Sequence, residues 1–250
     1  MRLTVLGSSA AWPAPGGAAS GYLLEHEGFV AAVDFGTGTL ANLQLHVPHE
    51  RLGAVVITHE HLDHCIDLYP LNVARVWFGE PLPPLPVFAL PGVFDRLLAL
   101  EDAEGAEEMR RMFDVREITP GHDFEVGPFR VGTRMLPHWV PNSGLRFEAG
   151  GTVLAYTGDT GPSEEIAALG HGADLLLVEA SWHERPPGID PFHLTAREAG
   201  GFAAEAGAGR LMLTHFWPGR DRETSRIQAA EAFGAEPILA REGLSVEVKE

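Results

Sequence analysis

The chain has 250 residues and a formal net charge of −17, from 35 acidic against 18 basic side chains. That balance disfavours long RNA or DNA as a partner, because a polyanion is gripped by neutralising its phosphates, and no apolar run approaches the roughly 20 residues that cross a bilayer. A lone cysteine, Cys65, excludes an intrachain disulfide, and length together with strand-like rather than leader-like residues at 1–6 predicts a single cytoplasmic α/β domain over residues 1–250.

Residues 3–6, 21–26 and 29–34 read as short strands separated by glycine-rich turns, followed by a helix near 40–46 and an apolar strand at 54–58. Near-helical spacing of Leu68, Leu71 and Val76 predicts a helix within 64–78, and the prolines of 81–86 a stiff linker before a strand at 87–90. Acidic helices are expected over 92–112, with 102–111 a solvated face. A second series of strands is expected from about residue 115, then at 124–126, 129–136, 145–148 and 153–157. Strands at 174–179 and 210–214 then alternate with helices at 163–169 and 195–206. Two strand-rich halves interleaved with helices predict two packed sheets covered by helices, a four-layer αββα sandwich, with a doubly wound parallel sheet as the rival.

The central motif is Thr58-His59-Glu60-His61-Leu62-Asp63-His64, placed where an apolar strand ends and a helix begins. Alternation past a strand end sets His59 and His61 on one side, while Asp63 and His64 open the helix, so one loop offers two pairs of ligands to two adjacent metals. Further donors are needed to complete each shell. His138 follows the strand 129–136, Asp159 follows 153–157 in Gly158-Asp159-Thr160, and His215 follows the strand ending at Thr214. Imidazole and carboxylate donors suit zinc, with manganese or iron as alternatives. His26, His46, His49, His122 and His171 have no convergent partners in sequence and are read as structural or exposed.

These motifs resemble the metallo-β-lactamase superfamily, and within it the ribonuclease Z-like branch. The likeness covers nearly the whole chain: Leu6-Gly7-Ser8-Ser9, Ser20-Gly21-Tyr22-Leu23-Leu24, Asp34-Phe35-Gly36-Thr37-Gly38, the histidine motif, His138, Gly158-Asp159-Thr160, Glu179-Ala180-Ser181, His193-Leu194-Thr195-Ala196 and Thr214-His215. The resemblance implies that His59, His61 and His138 bind one divalent metal and Asp63, His64 and His215 a second, with Asp159 bridging. It assigns Cys65 no ligand role, and a buried neighbour is expected there. Residues 20–24, 34–36, 61–68, 155–161, 179–182 and 193–200 are also similar to the atypical cyclic-nucleotide phosphodiesterase family of actinobacteria, most specifically at Glu179-Ala180-Ser181-Trp182.

Two divalent metals about 3.5–4 Å apart can hold a hydroxide between them and take up charge from the attacked centre. In a phosphodiester the departing sugar oxygen also needs a proton. The resemblance points to His193 as that general acid, since an imidazole titrates near neutrality, with Asp63 and Glu179 completing the catalytic set. Ser20, Ser143, Trp182 and His183 are nominated for substrate contact, and Trp139 and Phe192 for stacking on a base.

The expected activity is hydrolysis of a small phosphodiester, with cyclic AMP as the single best substrate. Transfer-RNA 3′-end processing, lactone or thioester hydrolysis and, last, a non-enzymatic binding module are the alternatives. The first of these is disfavoured by charge and by the lack of a basic glycine-proline arm. The resemblance further implies a homodimer.

Overall fold

The computed structural model describes residues 1–249. Its first sheet is built from β1 (Arg2–Gly7), β2 (Gly21–His26), β3 (Phe29–Phe35), β4 (Ala54–Val56), β5 (Leu85–Ala89) and β6 (Phe113–Glu117). Its second holds β7 (Phe124–Val126), β8 (Phe129–Leu136), β9 (Asn142–Ala149), β10 (Thr152–Tyr156), β11 (Leu175–Glu179), β12 (Leu211–Thr214) and β13 (Ile238–Leu239). The chain then returns to the first sheet as β14 (Ser245–Glu247). The strand orders are β14-β1-β2-β3-β4-β5-β6 and β13-β12-β11-β10-β9-β8-β7. β3 to β6 run parallel to one another, as do β10 to β13, while the other pairs are antiparallel.

The period-2 pattern explains the layering. Along β11, Leu175 and Leu177 join the core between the sheets, with Tyr22, Phe35, Val55, Phe129, Phe147 and Tyr156. The intervening Leu176 and Val178 face a second apolar cluster under the helices Glu164–Gly170, Ala196–Glu205 and Arg222–Phe233. A strand buried on both faces reads as a continuous apolar run, as this one does. On the far side of the first sheet, Leu40, Leu43, Leu68, Leu71, Phe94 and Met109 bring helices against it. The result is the αββα order, and the doubly wound rival is excluded by the presence of two sheets.

Three details depart from the sequence reading. The helix expected in 64–78 is split into Leu62–Cys65 and Leu68–Val76, where Asp67 turns back to accept the Leu40 N–H at 2.8 Å. The expected linker 81–86 ends inside β5, in which Leu85 and Pro86 pair with Phe113 and Asp114. Helix Arg222–Phe233 carries only Ser225 and Ala229 as buried residues, too little apolar periodicity to announce it, although Asp221 caps it through the N–H groups of Glu223 and Thr224. Among the described residues no helix is long and apolar enough to cross a membrane.

The metal-motif loop is seated on the turn after β3. Asp67 N–H donates to the Phe35 carbonyl at 2.9 Å, and Gly36 lies so close that a Cβ there would stand 1.8 Å from the Asp63 carbonyl oxygen. Because that neighbour is backbone, Gly36→Ala must push the Asp63 loop away. The expected cost is about 1–3 kcal/mol, or roughly 3–10 °C in Tm, with a disproportionate loss of metal from the Asp63 side. Calorimetry and metal analysis on the same preparation check both.

Candidate metal centre

Seven donors stand at strand ends along one edge of the sandwich. His59 and His61 follow β4, His138 follows β8, Asp159 follows β10, His215 follows β12, and Asp63 and His64 open the short helix Leu62–Cys65. The fold gathers them into two sets. His59, His61, His138 and Asp159 form one, and Asp63, His64, Asp159 and His215 the other, with the donor atoms of each set within 4.8 Å of one another. Asp159 belongs to both. Its Oδ2 lies 3.8 Å from Nε2 of His59 and of His138, while its Oδ1 lies 3.2 Å from His64 Nε2 and 3.3 Å from His215 Nε2.

The hydrogen bonds fix which ring nitrogen faces inward. Thr58 Oγ1 donates to the Asp34 carboxylate at 3.0 Å, so it accepts from His59 Nδ1, also at 3.0 Å. His64 Nδ1 donates to Asp34 Oδ2 at 2.7 Å, and His138 Nδ1 to the Phe192 carbonyl at 3.0 Å. Ser181 Oγ donates to Glu179 Oε2 at 2.6 Å and accepts from His215 Nδ1 at 2.9 Å. With Nδ1 carrying the proton in all four, the Nε2 lone pairs point into the clusters. His61 turns Nδ1 inward, 3.1 Å from Nε2 of both His59 and His138.

Three imidazole nitrogens that close on one another can avoid lone-pair repulsion by sharing a cation. A tetrahedral shell with Zn–N bonds near 2.0–2.1 Å has ligand-to-ligand edges of about 3.3 Å, close to the 3.1 Å spacings of His61. Buried His64 Nε2 and Asp159 Oδ1 have no hydrogen-bond partner, as expected of atoms oriented for a metal. The donor sets therefore fit two divalent cations, which the fold also implies.

The electrostatics agree. Burial lowers His59 and mutual repulsion with His64 adds to it, while burial and His138 depress His61 to about 4. Burial lowers His138 as well, so the imidazoles of the first cluster are neutral and ready to ligate at neutral pH. In the second, burial opposes charge on His64, yet Asp159, Asp34 and Asp63 raise its pKa well above the ordinary value, which marks a place built for positive charge. Asp63 is held down to about 2, burial being outweighed by His64 and His215.

His193 stands beside this pair. Its ring centroid is 5.1 Å from that of His138 and 5.5 Å from that of His215, and its Nδ1 donates to Glu179 Oε1 at 2.9 Å. Burial disfavours the imidazolium, but the Glu179 carboxylate overcomes it and raises His193 to about 9. Glu179 is fully buried and also accepts from Thr160 N and Leu194 N.

The nominated substrate contacts divide. Trp182 and His183 lie half-buried beside Ser181, and Trp139 lies against the His138 and His193 rings, with Phe192 against Trp139. Ser20 and Ser143 are both fully buried, and Ser20 Oγ has no hydrogen-bond partner. Ser143 Oγ donates to the Gly144 carbonyl and its N–H to Thr58 O, so it ties strand ends together. Cys65 Sγ points at the His61 carbonyl, 3.3 Å away, and burial pushes its thiol pKa up.

Sequence reasoning missed Asp34, Thr58 and Ser181 as orienting groups. The only local signal for Asp34 was a carboxylate ending an apolar strand.

The chain matches the model of the β-lactamase superfamily domain over residues 32–216. An uncharacterized protein of Mycobacterium leprae is 36% identical over 240 residues, covering 93% of this chain and 84% of the relative. The probable metallo-hydrolase YhfI of Bacillus subtilis is 30% identical over 248 residues, covering 97% and 98%. The crystal structure of YhfI superposes with a TM-score of 0.89 at 28% identity, over 98% of this chain and 99% of that one. Ribonuclease Z of Mycobacterium bovis is 27% identical over 263 residues, 94% of each chain.

Asp34→Asn keeps the shape but cannot accept from all of its donors at once. It should weaken metal binding about 10- to 100-fold, measured by competition with a chromophoric chelator. Thr58→Val, which frees only the His59 ring, should weaken it less.

Proposed function

The chain belongs to the metallo-hydrolases of the β-lactamase superfamily, and from that premise we propose that it is a dinuclear metal-dependent phosphodiesterase acting on a small phosphodiester, with a cyclic nucleotide such as cyclic AMP as substrate. The observation that carries this reading is the His193–Glu179 pair set against both donor clusters. Bound divalent metals supply an acidified water and take up charge from the attacked centre.

The chain's own residues do the rest. Asp159 turns one oxygen to each cluster and holds the two halves in register. Asp34 and Ser181 keep the imidazole lone pairs inward. Glu179 holds the His193 ring by Nδ1, leaving Nε2 as the group that hands a proton to the departing sugar oxygen. A sugar alkoxide is a poor leaving group and needs that proton, whereas an ester or lactone depends on it less. The acidic surface favours a small substrate over a polymer. The similarity to ribonuclease Z supports transfer-RNA 3′-end processing as the second reading, against which the net charge of −17 stands.

Purified zinc- or manganese-loaded protein should convert cyclic AMP to AMP, followed by chromatography, and Asp63→Ala should abolish the conversion while leaving a cooperative unfolding transition. Absence of turnover would shift the weight to RNA ends and then lactones. His193→Ala should slow a diester with an alkoxide leaving group about 10²- to 10⁴-fold, and an activated nitrophenyl diester far less; equal losses would remove His193 as acid.

The acid form of His193 exists below its pKa and is lost above it, so the rate should fall on the alkaline side. Glu179→Gln removes the carboxylate that raises this pKa. The alkaline limb of the pH–rate profile should therefore move to lower pH.

A further inference from the structure

Trp139 follows His138 directly, yet the two side chains lie in opposite environments. The imidazole is turned into the first donor cluster, whereas the indole is 57% exposed. That exposed ring nonetheless touches the centre of the site. Its centroid is 5.3 Å from those of His138, His193 and Phe192 and 6.4 Å from that of His61. An indole recruited for packing alone hides its surface, because the apolar area is what it contributes. Here more than half of that area is left open at the mouth of the donor clusters.

The ring is also held in place. Gly161 N–H donates to the Pro137 carbonyl at 2.7 Å, and the bare Gly161 Cα lets the Pro191 carbonyl approach where a Cβ would be 1.7 Å away. His138 Nδ1 donates to the Phe192 carbonyl. Residues 137–139 and 191–193 are thus clamped through Gly161 and His138. Trp139 and Phe192 form a fixed aromatic pair beside His193.

We infer that Trp139, backed by Phe192, is the specificity platform on which the flat base of a nucleotide stacks while its phosphate lies at the donor clusters. The inference rests on the phosphodiesterase reading for its substrate class. Stacking suits this chain, because an aromatic face holds any base without a positive charge, and the chain is strongly acidic. The position beside His193 puts the base on the side of the oxygen that departs.

Calorimetric titration of the metal-loaded protein with AMP and with ribose 5-phosphate separates the base from the phosphate. The wild type should bind AMP roughly tenfold or more tightly than ribose 5-phosphate. Trp139→Ala should bring the two ligands within about twofold of each other by weakening AMP alone, and Trp139→Phe should restore most of the preference. Equal wild-type affinities, an unchanged preference in Trp139→Ala, or a loss shared equally by both ligands would each overturn the platform. The readout is binding, so stacking of AMP without hydrolysis of cyclic AMP would support the platform and overturn only the substrate chosen above.

Discussion

One buried carboxylate, Asp34, governs the geometry of the site. It is fully shielded from solvent and accepts from Thr58 N at 2.8 Å, Thr58 Oγ1 at 3.0 Å, His64 Nδ1 at 2.7 Å and Tyr156 Oη at 2.9 Å. A charge removed from water is tolerated when each lone pair meets a donor, and here each does. The donors come from both sheets, since Thr58 follows β4 and Tyr156 ends β10, so the carboxylate that orients the ligands also stitches the sandwich. Asp34 sits at φ 53°, a left-handed conformation that a non-glycine residue keeps only when its surroundings over-determine it.

Glu179 repeats the arrangement on the other side. Asp34 directs His64 by direct contact and His59 through the Thr58 hydroxyl. Glu179 directs His193 by direct contact and His215 through the Ser181 hydroxyl. His215 too has a positive φ, 55°. Four imidazoles are thereby held by two buried carboxylates, each at the end of a parallel strand whose direction is fixed by the apolar core behind it. Packing thus sets strand ends, strand ends set carboxylates, and carboxylates set the lone pairs offered to the metals.

What the sequence made legible follows from this hierarchy. The motif at 58–64 is local, so spacing alone sets its residues on one loop, and the central strands β3, β4, β11 and β12 were readable as apolar runs because both of their faces are buried. His138, Asp159 and His215 were readable as donors that follow strands. Asp34, Thr58 and Ser181 were not, because their roles exist only once β3 lies beside β4 and β11 beside β12. The burial of Ser20 and Ser143 was illegible for the converse reason: a small polar residue at a strand end looks like an open loop until tertiary packing covers it. The C-terminal helix was silent because its buried residues, Ser225 and Ala229, are small, and Ala229 packs against Gly200 of the helix Ala196–Glu205.

The charge distribution bears on the substrate. Arginines at positions 2, 96, 116, 130, 134, 185, 197 and 226 are each paired with a carboxylate within 3.0 Å, so much of the positive charge is already neutralised where it stands. Long nucleic acid binds by surrendering counterions to an extended set of free cations, and pairs of this kind supply few. A small diester asks for much less. Its single negative charge is met by the metals for which the two donor clusters are shaped, and the remainder of its affinity must come from neutral surface. On the phosphodiesterase reading, an acidic exterior and a positively charged centre are then complementary. The exterior turns polyanions away, while the centre, reached past an open indole, retains a small anion that brings a flat group with it.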